Sequence, residues 1–117
     1  MIAQAVGGEK GALGYFGFSY FEENQDKLKA VPIDGGNGCV EPSVETAQSG
    51  EYKPLSRPLF VYAKETSFEK PHVTAFVRFM LANAEQLATD ARYVPLTDEQ
   101  LAAEKADFNS ALQRAGG

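Results

Sequence analysis

Cysteine and histidine are nearly missing from this 117-residue chain, which has one of each, Cys39 and His72. A lone cysteine cannot close an intrachain disulfide or supply the paired cysteines of a structural zinc site. Cys39 therefore reads as a small buried or half-buried apolar side chain, with a reactive thiol as the alternative. His72 follows Pro71 at a predicted helix start and reads as an exposed first-turn residue, because no Ser-His-Asp or Cys-His arrangement accompanies it. Basic residues are also in deficit: 11 Lys and Arg face 16 Asp and Glu, for a net charge of -5. That balance argues against a nucleic-acid surface, which needs a basic stripe to displace phosphate counterions. It leaves a small anion open as ligand, since backbone N–H groups can hold one. No apolar run approaches the roughly 18 residues of a membrane span. The opening Met1-Ile-Ala-Gln-Ala-Val is too short for a signal peptide, so none is expected in this chain.

What is present is the composition of an ordinary globular domain, 44% hydrophobic and 23% charged. Gly7-Gly8 suits the exit of a short opening helix. Leu13 to about Ser19 is rich in aromatics and glycine and reads as a buried strand. Leu28–Ile33 reads as a second strand, placed at a sheet edge because Pro32 has no N–H to donate. Asp34-Gly-Gly-Asn-Gly38 is a turn cluster. Ser43 can cap, and Gly50 can stop, a helix of about two turns. Tyr52–Pro58, which contains Pro54 and Pro58, reads as an extended crossing segment. Leu59–Ala63 is an apolar run of the kind buried on both faces of a sheet.

The last third is predicted helical. Pro71 opens a helix running to about Asp90, with Val73, Phe76, Val77, Met80, Ala84, Leu87 and Ala88 on one buried face. Thr97 and Gln100 form a capping box for a final helix lined by Leu101, Phe108 and Leu112. Arg114 complements its dipole, and Gly116-Gly117 ends it. The order is an α/β pattern too small to close a doubly wound sheet by itself.

No catalytic or metal constellation emerges, and no cofactor is expected. Gly7–Gly17 imitates a phosphate loop, but lacks the Gly-Lys-Ser/Thr ending and the dinucleotide glycine spacing, and leads into a predicted strand. Glu22, Glu23 and Asp26 share a polar stretch with Lys27 and Lys29 and read as a solvated face, as do Asp98, Glu99, Glu104 and Lys105. Tyr15, Phe16, Phe18, Tyr20 and Phe21 lack the interleaved cations of a base-stacking platform and read as core.

Three segments taken together carry a resemblance: Gly11–Tyr20, Leu28–Ile33, and Pro42–Thr46 followed by Gly50–Tyr62. In that order and spacing, the chain resembles the C-terminal part of the substrate-binding protein of the ABC-type phosphate importer. The resemblance implies part of a type II periplasmic-binding fold, in which two α/β lobes close by a hinge motion around the ligand. It assigns residues 1–54 to the second lobe, 55–58 to the hinge crossing, and 59–117 to a strand and helices that return to the first lobe. Ser56, Arg57 and Pro58 are the implied hinge residues. The family holds phosphate partly through an Arg…Ser-Gly-Thr segment, and Ser-Gly-Thr does not occur in this chain. No phosphate-binding residue is therefore expected here.

The implied role is solute capture, with inorganic phosphate held by the complete protein, an ABC transporter permease as partner, and a periplasmic or cell-surface location for the parent. The alternatives are a non-enzymatic interaction or scaffold module built on the same fold segment without ligand, or a receptor for another anion. The exposed aromatic strand and unfinished lobes lead to a further expectation. Cover is to come from the missing half of the parent protein or from a homodimer partner.

Overall fold

The computed structural model describes residues 2–116, and Gly117, the second half of the predicted terminal glycine pair, lies outside the described residues. Helix ends obey the local signals closely. Helix α1 spans Ile2–Gly8. Helix α3, Val44–Gln48, starts at Ser43, whose side chain accepts from the Thr46 N–H while the Thr46 hydroxyl accepts from the Ser43 N–H. Gly50 follows in the left-handed conformation, φ +73°, where a Cβ would be strained. Helix α6, Asp98–Ala115, carries the reciprocal Thr97–Gln100 box at its start. The turn at 34–38 is closed by Asp34, whose Oδ1 accepts from the N–H groups of Gly36 and Gly38 at 2.8 and 3.1 Å. It joins β1, Ile33–Asp34, to β2, Cys39–Val40, in an antiparallel pair with Ile33 opposite Val40.

The strand expectations fail at three segments. The segment from Leu13 to Gly17 has no regular structure, and Phe18–Glu22 forms a short helix, α2, in place of the end of the expected strand. The Gly7–Gly17 stretch therefore leads into a short helix and not into a strand. Of Leu28–Ile33 only Ile33 is paired. Leu59–Ala63 forms no strand, so the strand assigned to the start of 59–117 is corrected. The reason is common to all three. A strand's N–H and C=O groups bond to a neighbouring strand, and among the described residues no further strand lies beside these segments.

The expected long helix is two helices. Helix α4 spans Pro71–Ala82 and α5 spans Ala84–Asp90. Asn83 breaks the run: both its N–H and its side-chain amide donate to the Phe79 carbonyl, and its backbone leaves helical geometry. The apolar stripe is not a buried face either, since Phe76 is 61% and Leu87 38% exposed. Among the described residues no side chain is buried. The accessible surface is 8955 Å², whereas a folded monomer of this mass exposes about 6,200 Å².

The chain divides into two units. One comprises the residues up to Arg57 with Thr89–Val94, the other Pro58–Ala88 with the residues from Pro95 onward. The second is organised by a 3-10 turn, Glu65–Glu69, packed against α4 and α6. Phe68 meets Phe108 edge to face at 5.5 Å, and the Thr74 hydroxyl donates to the Phe68 carbonyl at 2.9 Å. Leu101, Phe108 and Leu112 line the half-buried face of α6 as expected, and Arg114 pairs with Glu65 at 3.1 Å.

Candidate functional site

The segment Tyr52–Pro58 is built from the end of α3. Beyond Gly50, the Tyr52 N–H donates to the Thr46 carbonyl at 3.2 Å, and the Tyr52 hydroxyl donates to the Val31 carbonyl at 3.0 Å. Partial desolvation raises the Tyr52 pKa, which keeps that hydroxyl a donor. Ser56 then folds back: its N–H donates to the Tyr52 carbonyl at 2.8 Å and its hydroxyl to the Ala47 carbonyl at 2.7 Å. Ala47 is one of the last residues of α3, whose carbonyls lack partners inside the helix. Ser56 thus completes the helix end and ties the crossing segment to it.

Arg57 points a guanidinium nitrogen at the Tyr15 hydroxyl, 3.1 Å away. This contact, first as a hydrogen bond and then through charge, raises the arginine pKa further. Pro58 is the first residue of the second unit, and the division falls between it and Arg57. Ser56, Arg57 and Pro58 are therefore consecutive but differently anchored. Ser56 is held by α3, Arg57 by the aromatic segment 42 positions earlier, and Pro58 begins the next unit.

Sequence reasoning missed two further contacts. Tyr15 as the partner of Arg57 has no local signal. Arg92 lies in a turn that the sequence left unassigned. It sits 5.4 Å over the Tyr20 ring and pairs with Glu23, and it takes a left-handed φ of +60°. Of the acidic stretch read as solvated, Glu23 is thus paired with an arginine, and Asp26 is paired with Lys27.

Cys39, expected to be buried or half-buried, is instead a free, exposed thiol on β2, and His72 is exposed in the first turn of α4 as expected. Among the described residues no group of three His, Cys, Asp or Glu side chains could hold a metal ion. A groove of about 270 Å³ runs between α4 and α6, lined by Arg78, Leu81, Ala82, Lys105, Phe108 and Asn109. Its polar side chains are exposed, unlike the desolvated donors that grip a small anion.

Comparison with known proteins supplies the context for this arrangement. Residues 2–84 match the model of the PBP superfamily domain. Protein SphX of Synechococcus elongatus is 41% identical over 111 residues, which cover 94% of this chain and 33% of that protein. The phosphate-binding protein PstS of Staphylococcus epidermidis is 46% identical over 95 residues, covering 80% of this chain and 29% of that protein. The crystal structure of a possible phosphate binding protein from Planctomyces limnophilus superposes with a TM-score of 0.85 at 42% identity, over 94% of this chain and 40% of that one. The chain thus spans about a third of the length of the curated relatives it matches.

Proposed function

The chain belongs to the PBP superfamily, and from that premise we propose that it is the C-terminal segment of a solute receptor that captures inorganic phosphate for an ABC importer. One observation carries the reading: most of the chain aligns at 41–46% identity with SphX and with proteins named for binding phosphate. The parent receptor would work outside the cytoplasm, in the periplasm or at the cell surface, and would deliver phosphate to a permease without altering it chemically. The role is therefore non-enzymatic.

Within that role, residues 1–54 would belong to the second lobe and 59–117 would return to the first, with Ser56, Arg57 and Pro58 at the hinge. The anchoring of Ser56 to α3 and of Arg57 to Tyr15 supports a crossing that is rigid on one side. The division of the chain after Arg57 is compatible with a change of lobe there. Closure around ligand needs such a rigid base, with the conformational change confined to a few residues.

The donors that hold phosphate would lie in the remaining two thirds of the receptor, since Ser-Gly-Thr is absent here. A desolvated phosphate needs several charge-assisted hydrogen bonds at once. Isothermal titration of the 117-residue chain with inorganic phosphate should give no measurable heat of binding. Mixing it with the polypeptide that precedes the matched segment in the Synechococcus relative should restore binding. Micromolar affinity of the chain alone would show that its own residues grip the anion. A stable but phosphate-inert mixture would overturn the receptor reading.

A further inference from the structure

Asn37 is followed by Gly38, whereas Asn24, Asn83 and Asn109 precede Gln25, Ala84 and Ser110. The Asn37-Gly38 pair sits in the exposed turn between β1 and β2. The space around it is open: a Cβ at Gly36 or Gly38 would meet no group beyond its chain neighbours within 4 Å. The other asparagines are held. The Asn24 side chain donates to the Tyr20 carbonyl and that of Asn83 to the Phe79 carbonyl, each at 2.8 Å. Asn109 lies inside α6, where the following N–H is engaged in the helix. The Asn37 side chain makes no hydrogen bond among the described residues.

We propose that Asn37 is a site of spontaneous deamidation, and that Asp34 restrains the reaction. Asparagine is a thermolabile residue, and glycine after it leaves no side chain to hinder attack. The Gly38 backbone nitrogen gives its proton to solvent base and attacks Cγ of Asn37. A bond forms between that nitrogen and Cγ, the bond from Cγ to Nδ2 breaks, and Nδ2 leaves as ammonia with a proton taken from water. Water then opens the cyclic imide at either carbonyl, which leaves aspartate or isoaspartate. The balance is water in and ammonia out, with no oxidant or reductant.

The attacking nitrogen is one that Asp34 holds. Oδ1 of Asp34 accepts from the Gly38 N–H at 3.1 Å and from the Gly36 N–H at 2.8 Å. A hydrogen bond to the neutral amide disfavours its deprotonated form, and the carboxylate repels the charge that deprotonation creates. The two bonds also fix the turn, so the nitrogen is not free to swing toward Cγ. The product adds a negative charge to a turn closed by a carboxylate. Its isoaspartyl form also lengthens the backbone of the loop that pairs Asp34 with Cys39.

Incubation of the 117-residue chain at mildly alkaline pH, followed by peptide mass spectrometry, tests both parts. The mass change separates deamidation from isomerisation at Asp34-Gly35, which leaves mass unaltered. Asn37 should react ahead of Asn24, Asn83 and Asn109. Asp34→Ala should speed the reaction at Asn37 at least about fivefold, as expected when a like charge a few Å from the developing one is removed in water. Asp34→Asn, which keeps an acceptor for the turn, should speed it less. In denaturing urea the wild type and both variants should react alike, because the bonds to Asp34 are gone. Three results would each overturn the proposal: Asn37 reacting no faster than the other asparagines, a rate unchanged in both variants, or an acceleration that persists undiminished in urea.

Discussion

The helical unit containing α4 and α6 and the unit containing α1–α3 differ in how far each realises its own pattern. In the first, the 3-10 turn, α4 and α6 bring Phe68 onto Phe108 and Glu65 onto Arg114, residues far apart along the chain. In the second, the aromatic segment expected as a strand is irregular, and the ordered parts are a two-residue ladder and three helices of five to seven residues. The contrast is physical. A helix bonds its own backbone and needs neighbours only for one face. A strand bonds to another strand or remains unsatisfied. The helices therefore form from local sequence, while among the described residues the sheet is a single two-stranded ladder.

Removing the aromatic contact that organises the helical unit should have the largest effect. Phe108→Ala should lower the unfolding free energy of that unit by about 2 kcal/mol, a half-buried aromatic being worth somewhat less than a fully buried one. Urea titration followed by circular dichroism measures it. A loss under about 0.5 kcal/mol would show that α4 and α6 do not depend on each other, and the contrast between the units would dissolve.

The two capping boxes sharpen the comparison, because the same chemistry sits on an 18-residue helix and on a five-residue one. Thr97→Ala and Ser43→Ala should each cost about 1 kcal/mol. In α6 the loss should appear as a lower midpoint of cooperative unfolding. Helix α3 is too short to persist by itself, so its loss should appear as faster amide exchange at Thr46 and Ala47 with little change in the overall midpoint. Equal shifts in the midpoint would mean that both units unfold together.

Smaller again is the Arg114–Glu65 pair, whose side chains are about half exposed. Arg114→Ala should cost about 0.3 kcal/mol, and the cost should shrink with added salt. An effect above 1 kcal/mol would mean that the pair, and not Phe68 on Phe108, docks the 3-10 turn.

The smallest expected effect is a pH dependence confined to α3. Glu45 is held below its usual value of 4.5, first by its own backbone N–H and then by the Ser43 side chain. A carboxylate with a depressed folded pKa contributes stability that is complete above the unfolded value and is lost as pH falls through the folded one. The protection of the α3 amides, measured against their intrinsic exchange rates, should therefore be flat near neutrality and fall below about pH 4.5, and Glu45→Gln should remove the fall. Unchanged acid behaviour in that variant would assign it to other carboxylates.

Much of the architecture was legible beforehand, and its pattern is instructive. Ser43, Gly50, Thr97 and Gln100 marked helix ends correctly because a cap is settled within four residues. The Asp34 turn was legible for the same reason. The break at Asn83 was not, since it depends on a side chain turning back onto the Phe79 carbonyl inside a continuous apolar stripe. At the crossing segment, the ordered motifs pointed to the family, but the extended connector expected from prolines 54 and 58 is in part a turn at residues 53–55, where the Ser56 N–H donates to the Tyr52 carbonyl. The Ser56 bond to Ala47 and the Arg57 bond to Tyr15 had no signal, because each joins residues whose proximity depends on the path of the chain between them.

Residue order alone settled the caps, the glycine turn, the amphipathic face of α6 and the family, all of which rest on neighbours a few positions apart or on a colinear set of motifs. Three-dimensional contact decided the rest: that Phe68 meets Phe108, that Arg92 reaches Glu23 and Tyr20, and that Leu59–Ala63 stays unpaired. The apolar run Leu59–Ala63 states a preference for burial, which any apolar surface could meet. Its strand geometry requires donors and acceptors at a set spacing from another backbone, and only the assembled structure can supply or withhold those.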